Sequence, residues 1–459
     1  MDYYEVSPRV VPADKVSEIV IRPRFAHAAF PTGDVWRLEV CANPFSGLMA
    51  DGSWRDYQWG TNQNPKPEWT LRDGALVFQH FFAGEQEFNV TVTITKSDNP
   101  GYKQVKSFRI YSLKADWYPL RPFKGDFHIH TTGSDGKEAP EYVAARYRQK
   151  GFDFAAISDH SNYQPSLDAK AFYEPLGLDF RLFPGEEVHS PGNPVHIVNF
   201  AGDFSVTNRV REDEERYRRE VAAIQAGMTQ SDPGLNYFPV AATQWVCDRI
   251  REGGGLAIFA HPYWYVGQYV ISEGLTDAVF AAKSFDAFEL IGGFYKHQFE
   301  SNNFQVVRYY EEQAKGNRFP VVGLSDSHAT DTFRLSGKSA NMEFVGNEDA
   351  DLFGWHYTIV LAASDSREDI IAAIKDFRSV AVWAPSGSVP MIFGDSRAVR
   401  YASFLFREYF PAHATLCQAE GAAMLDYLAG DASARDVLKV WKGRVPKYRE
   451  ACYRNATTP

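Results

Sequence analysis

The 459 residues carry 48 Lys and Arg against 58 Asp and Glu, a formal net charge of −10, so the chain offers no general basic surface to nucleic acid. Hydrophobic residues make up 44% and aromatic residues 15%, which suits a globular chain with room for two or three domains. No apolar run approaches the about 20 residues of a membrane span. The four cysteines, Cys41, Cys247, Cys417 and Cys452, make no CxxC pair and read as reduced thiols. The first residues, MDYYEVSPRVVP, lack the charged start, apolar core and small-residue cleavage site of an export signal. A cytoplasmic location is the expectation.

Residues 1–120 have the pattern of an all-β, sandwich-like domain. VWRLEVCA, ALVFQHFF, FNVTVTITK and VKSFRIYSL have strand composition, with Gly, Asn, Asp and Pro turns between them and no intervening helices. TKSDNPGYK reads as the turn between the last two. Trp54, Tyr57, Trp59 and Trp69 suit a sugar-binding face, although such aromatics more commonly pack a sandwich core or a domain interface. The linker DWYPLRPFKG, with two prolines, marks a domain boundary.

The chemistry begins at Asp126-Phe127-His128-Ile129-His130. Side chains alternate along a strand, so His128 and His130 share a face while Phe127 and Ile129 point into packing. Two imidazoles side by side at a strand end are good metal ligands. A turn, Thr131 to Gly136, brings Asp135 as a further oxygen donor. An amphipathic helix over Pro140–Lys150 stops at Gly151. The next strand, Phe152–Ser158, ends at Asp159-His160. Strand, turn, helix and strand make a βαβ unit with both polar clusters at the carboxyl ends of its strands, where barrel active sites sit.

His-x-His, Ser-Asp-Gly and Asp-His in this order resemble the opening of the PHP (polymerase and histidinol phosphatase) metallohydrolase superfamily. The β-rich leader resembles the branch that includes carbaryl hydrolase-like enzymes. The resemblance runs from about Gly125 to Trp383 and implies a distorted (β/α)7 barrel over 121–395. Further motifs follow in family order. Pro184-Gly185-Glu186-Glu187 supplies a bridging glutamate, Glu187 by the PGxE pattern, with Glu186 as the second candidate. His196 follows on VHIVNF, His261 on His261-Pro262, and Asp326 and His328 on Asp326-Ser327-His328. His189 falls outside the motif and reads as a loop or rim residue. The family implies a first metal held by His128, His130, Glu187 and Asp326. It implies a second held by Glu187, His196 and His261, and a third held by Asp135, His160 and His328. Asp159 reads as an orienter of ligands rather than a ligand.

Elsewhere the pattern is plainer. Asn208–Gly227 reads as one charged helix with close opposite charges, and Val240–Glu252 as a second. That helix stops at Gly253-Gly254-Gly255, which lacks the residues of a phosphate loop. Strands are expected at Leu256–Ala260, Ala287–Ile291, Val321–Ser325 and Tyr357–Ala362, with Val380–Trp383 closing the barrel. Helices are expected over Phe299–Lys315 and Arg367–Phe377. Tyr263, Trp264 and Tyr265 read as pocket wall. Arg334 and Lys338 stand equally as contacts for an anionic substrate or as surface charges. Residues 396–459 read as a C-terminal helical extension, covering the barrel or serving self-association in a homo-oligomer.

The mixture of imidazole and carboxylate suits Mn, Fe or Zn, and nine ligands require two or three such ions. Metals that close together bring the pKa of a shared water towards neutral, with Asp326 or His261 moving protons. No GxSxG or Cys–His signature points to a side-chain nucleophile. The leading expectation is a phosphoesterase acting on a small anionic substrate, a nucleotide or sugar phosphate. Carbamate or carboxylic ester hydrolysis is the alternative enzyme, and a carbohydrate-binding protein with a vestigial barrel the non-catalytic one. The full ligand set argues against the last.

Overall fold

A computed structural model describes residues 3–54, 65–265, 268–293, 296–330, 352–385 and 388–454. It is a mixed α/β protein whose chain divides into two compact units. Met1–Leu120, Phe404–His413 and Gly443–Pro459 make one; Arg121–Ser403 and Ala414–Lys442 make the other. The helices after Ser396 are thus shared between the two units rather than set apart.

The first unit holds two four-stranded sheets. In one, Lys15–Pro23 runs antiparallel to both Tyr4–Ser7 and Ala75–Phe82, with Trp69–Arg72 at the edge. In the other, Gln86–Lys96 lies antiparallel between Trp36–Pro44 and Lys103–Leu113. Gln86–Lys96 shows why the sheets pair: its burial alternates residue by residue, the mark of one face in a core and one outside. Val90, Val92 and Ile94 join Ile19, Ile21, Leu76 and Phe78 of the other sheet in one apolar cluster. Trp69 packs against that cluster, whereas Trp54 is exposed. Tyr57 and Trp59 lie outside the described residues.

The second unit is built on a six-stranded and a five-stranded sheet. Arg121–Asp126, Phe154–Ala156 and Arg181–Phe183 are parallel neighbours. In the other sheet Gly185–Val188, Ile197–Phe200 and Leu256–Phe259 are antiparallel neighbours in that order, followed in parallel by Ala287–Ile291 and Val321–Gly323. Two isolated bridges join the sheets, Ile129 to Ser327 and His160 to Glu187, the latter within Gly185–Val188. His130 N donates to Ser327 O at 2.8 Å and Ser161 N to Glu187 O at 2.8 Å. The join at the first strand is therefore made by the residues after Val321–Gly323. Ser379–Trp383, expected to close the barrel, pairs antiparallel with His356–Ala362 and Met391–Gly394, and Ser379 Oγ donates to Val321 O at 2.9 Å.

The space between these strands is apolar. Phe127, Phe154, Val198, Ile258, Ala287, Val322 and Leu324 form one buried cluster. Outside it, Pro140–Gln149, Phe238–Glu252, Glu273–Ala282 and Lys296–Ala314 are helical. The charged helix expected over 208–227 is two helices, Val206–Glu212 and Glu214–Gly227. Asp213 divides them with φ −153°, and its carboxylate caps the second by accepting from Arg216 N at 2.8 Å. All four cysteines are buried and free of disulfides. Among the described residues no helix is long and apolar enough to cross a membrane.

Candidate metal centre

Glu187 is the hub. It sits on Gly185–Val188, where alternation sends neighbouring side chains to opposite faces. Glu186 turns outward to the start of Val206–Glu212, accepting from Ser205 Oγ at 2.9 Å and Val206 N at 2.5 Å. Glu187 turns inward and is fully buried. Six imidazoles lie within 3.7 Å of its carboxylate: His160 Nδ1 at 2.6, His196 Nδ1 at 3.0, His261 Nε2 at 3.2, His189 Nε2 at 3.3, His128 Nε2 at 3.5 and His130 Nε2 at 3.7 Å.

The remaining expected donors adjoin this hub. Asp326 Oδ1 is 3.0 Å from His130 Nε2 and 3.4 Å from His128 Nε2. Asp135 Oδ1 is 3.2 Å from His328 Nε2 and 3.5 Å from His160 Nε2. The donor atoms fall into four overlapping groups: His130, Asp135, His160 and His328; His128, His130 and Asp326; His128, Glu187 and His261; His160, Glu187 and His189. The nine sequence-derived ligands thus come together, but His130 lies with Asp135, His160 and His328 as well as with Asp326. His189, expected at the rim, joins the cluster. Tyr263 is buried and turns its hydroxyl to Glu273 Oε1 at 3.2 Å. Trp264 is the aromatic beside the centre, with ring centroids 5.6 Å from His261 and 5.8 Å from His196. Arg334 and Lys338 lie outside the described residues.

Local backbone is shaped to present these groups. His261 and Asp326 adopt φ of 20° and 50°, conformations that cost a non-glycine residue of order 1–3 kcal/mol and cluster at functional sites. The Asp135 turn needs Gly136, because a Cβ there would meet His130 O at 2.5 Å. Asp159 holds the same turn, accepting from Thr131 N at 2.7 Å, Thr131 Oγ1 at 2.5 Å and Ser134 Oγ at 2.6 Å. It touches the loop that carries the donors, as its expected orienting part requires.

A second layer was not read from the sequence. Glu289 Oε2 is 2.8 Å from His128 Nδ1, which leaves Nε2 facing the cluster. His328 Nδ1 is likewise fixed on Asp326 O at 2.9 Å, leaving Nε2 towards Asp135. Asp126 accepts from Tyr147 OH at 2.9 Å and Ser325 N at 3.2 Å, and so ties the first strand to the Asp326 segment. The signal for Glu289 was present as a lone carboxylate in the apolar run AFELI.

The electrostatics follow from burial opposed by charge. Burial works against ionisation of Glu187, but His196, His128 and His160 outweigh it and hold the carboxyl well below the usual range. Asp326 is lowered the same way, chiefly by His128 and His130 against burial. Burial depresses His130 to about 3, with His328 and His160 adding to the effect, and depresses His196 to about 4 despite Glu187. Burial of His160 is outweighed by Glu187 and Asp135, which lift it to about 9.

Four polar atoms in the cluster are buried without a hydrogen-bond partner: His128 Nε2, His130 Nε2, Glu187 Oε2 and His196 Nδ1. Orphaned buried groups cost about 1–3 kcal/mol each, more when charged, and convergent imidazole and carboxylate donors are what a borderline divalent cation uses. The residues fit such ions. His128, His130, Glu187, His261 and Asp326 would hold ions in the interior, and Asp135, His160 and His328 nearer the opening.

No protein-family model matches the chain, and neither does any curated protein sequence. Solved structures do. A two-domain protein from Bacteroides vulgatus containing a predicted PHP-like metal-dependent phosphoesterase is similar at 16% identity, covering 63% of this chain and 71% of its own, with a TM-score of 0.40. A provisionally assigned metal-dependent phosphoesterase from Bifidobacterium adolescentis shares 19% identity over 49% of this chain and 91% of its own, TM-score 0.31. An amidohydrolase from Chromobacterium violaceum shares 20% over 45% and 87%, TM-score 0.29. With TM-scores below 0.5 throughout, function has to be read from the side chains.

Proposed function

We propose that this chain is a metal-dependent hydrolase of the PHP superfamily, and that its reaction is hydrolysis of a small phosphate ester. The observation that carries the proposal is Glu187, fully buried and ringed by six imidazoles, with four partnerless polar atoms aimed into the same space. The two bridges that link the sheets of the second unit support a distorted barrel, with Glu187 of this centre in one of them. Divalent ions held there would supply Lewis acidity to the scissile group and lower the pKa of water.

The chain's own residues then have separable tasks. Asp326, with Oδ1 3.0 Å from His130 Nε2, is the first candidate to accept a proton. His261, with Nε2 3.2 Å from Glu187 Oε1, is the second candidate to move one. Asp135, with 57% of its side chain exposed, would hold the ion nearest solvent. Burial of His128, His130, Glu187 and Asp326 takes them out of bulk solvent, which strengthens charge interactions there. Hydrolysis of an uncharged aryl carbamate or ester is the second reading, favoured by the indole of Trp264 beside His196 and His261.

Reconstitution separately with Mn, Fe and Zn, followed by a screen of phosphoesters against aryl carbamates and carboxylic esters, tests both. Metal-dependent turnover of phosphoesters above the other classes is expected. Turnover confined to carbamates or esters would select the second reading.

A further inference from the structure

We propose that His189 is a metal donor in its own right. Its Nε2 and Glu187 Oε2 make a cation position on the Nδ1 side of His160, separate from the one on the Nε2 side of that ring. The inference rests on the metal-centre reading above and goes beyond the nine ligands that the motifs supply.

Strand alternation is the first support. Val188 points into the apolar core, so Glu187 and His189, two residues apart, face the same way. His189 Nε2 reaches 3.3 Å from Glu187 Oε2 and 3.1 Å from His160 Nδ1, and its ring stacks on His196 at 3.8 Å between centroids. Stacking fixes the ring while leaving Nε2 directed at the carboxylate. Glu187 Oε2 is itself buried, so the oxygen that His189 approaches is shielded from solvent.

His160 supplies the second support. Its two nitrogens serve opposite sides, Nδ1 at 2.6 Å from Glu187 Oε2 and Nε2 at 3.5 Å from Asp135 Oδ1. A neutral imidazole has a single lone pair. When His160 spends it through Nε2 on the group with His130, Asp135 and His328, the Glu187 side needs another imidazole lone pair. His189 Nε2 provides it. A position of one imidazole and one carboxylate takes Zn, Fe(II) or Co(II) in preference to Ca. The competing role for His189 is a hydrogen bond that merely positions His160.

The test is metal binding to purified apo protein, titrated calorimetrically with Zn and separately with Mn, and counted by elemental analysis after gel filtration. Wild type is compared with His189→Ala, His189→Gln, His189→Cys and the exposed control His27→Ala. Ala and Gln variants should lose one zinc equivalent or bind the weakest ion at least about tenfold less tightly. The Cys variant should keep the zinc count while losing manganese, because thiolate prefers the softer ion. The control should match wild type. His189→Gln matching wild type would show a hydrogen-bonding role and overturn the proposal, as would an unchanged His189→Ala. Wild type that binds no metal would instead defeat the reading on which the inference rests. His189 is one-third exposed, 32% for its side chain, and matching thermal melts of the apo variants check that folding is intact.

Discussion

His128 Nδ1 and Glu289 Oε2 lie 2.8 Å apart, and neither side chain has any exposure to solvent. Burial raises the Glu289 carboxyl above its ordinary range, with His128 opposing that rise. The pair fixes the imidazole so that Nε2 faces Glu187 and Asp326. Gly292 leaves the room, since a Cβ there would stand 2.3 Å from Glu289 Oε1. Glu289→Leu should therefore lower metal affinity about 10- to 100-fold, the usual effect of removing a group that orients a ligand. Gly292→Ala should act in the same direction, because its Cβ displaces Glu289. Calorimetric titration of the two variants checks this, and unchanged affinity in both would remove Glu289 from the site.

Glu186 predicts a different phenotype from its neighbour. It accepts hydrogen bonds from Ser205 Oγ and Val206 N at the start of Val206–Glu212. Glu186→Ala should cost about 1–3 kcal/mol in urea unfolding, as expected when buried donors lose their acceptor, while metal content stays at the wild-type level.

His80 and His356 should make stability sensitive to mild acid. Burial lowers them to about 4 and about 3, whereas an unfolded histidine titrates near about 6.5. Between those values the unfolded chain binds protons that the folded chain refuses, so stability falls as pH drops below the unfolded value. The loss levels off only after the folded values are passed. His80 packs edge-on against Phe82 and Phe88 at 5.0 and 5.9 Å, so His80→Phe should flatten the slope between pH 6.5 and 4. Urea unfolding of wild type and variant across that range is the measurement.

Asp135→Ala separates the two substrate readings. A phosphate monoester brings more charge to neutralise than a carbamate or carboxylic ester. Phosphoester turnover should fall by about 100-fold or more, and carbamate or ester turnover much less. Asp135→Asn preserving metal content and both activities would show that Asp135 only shapes its turn. Steady-state kinetics with metal counts on both variants decides.

The sequence was most legible where chemistry and periodicity agreed. His128-x-His130 and Asp326-Ser327-His328 could be placed at strand ends, and Ala75–Phe82 and Ala287–Ile291 stood out as strands. The PGxE pattern of the family resemblance selected Glu187 over Glu186, though only the fold shows what each faces. Contacts between distant segments were not legible. Glu289 meets His128 across 161 residues; the lone carboxylate in AFELI signals a buried acid but not which residue it meets. His189 was passed over because one histidine in a loop carries no sign of the imidazoles that folding brings beside it. Asp213 splits a helix that charge pairing alone would have continued. The strand Ser379–Trp383 had the composition to close a barrel, but composition does not say which neighbour a strand will pair with.

Elemental analysis of anaerobically purified wild type beside Glu187→Gln and Glu186→Gln tests the metal centre most directly. Wild type and Glu186→Gln should carry more than one transition-metal ion per chain, and Glu187→Gln should lose most of it along with hydrolytic turnover. Wild type free of metal after reconstitution, or equal retention in both variants, would contradict a metal centre built on Glu187.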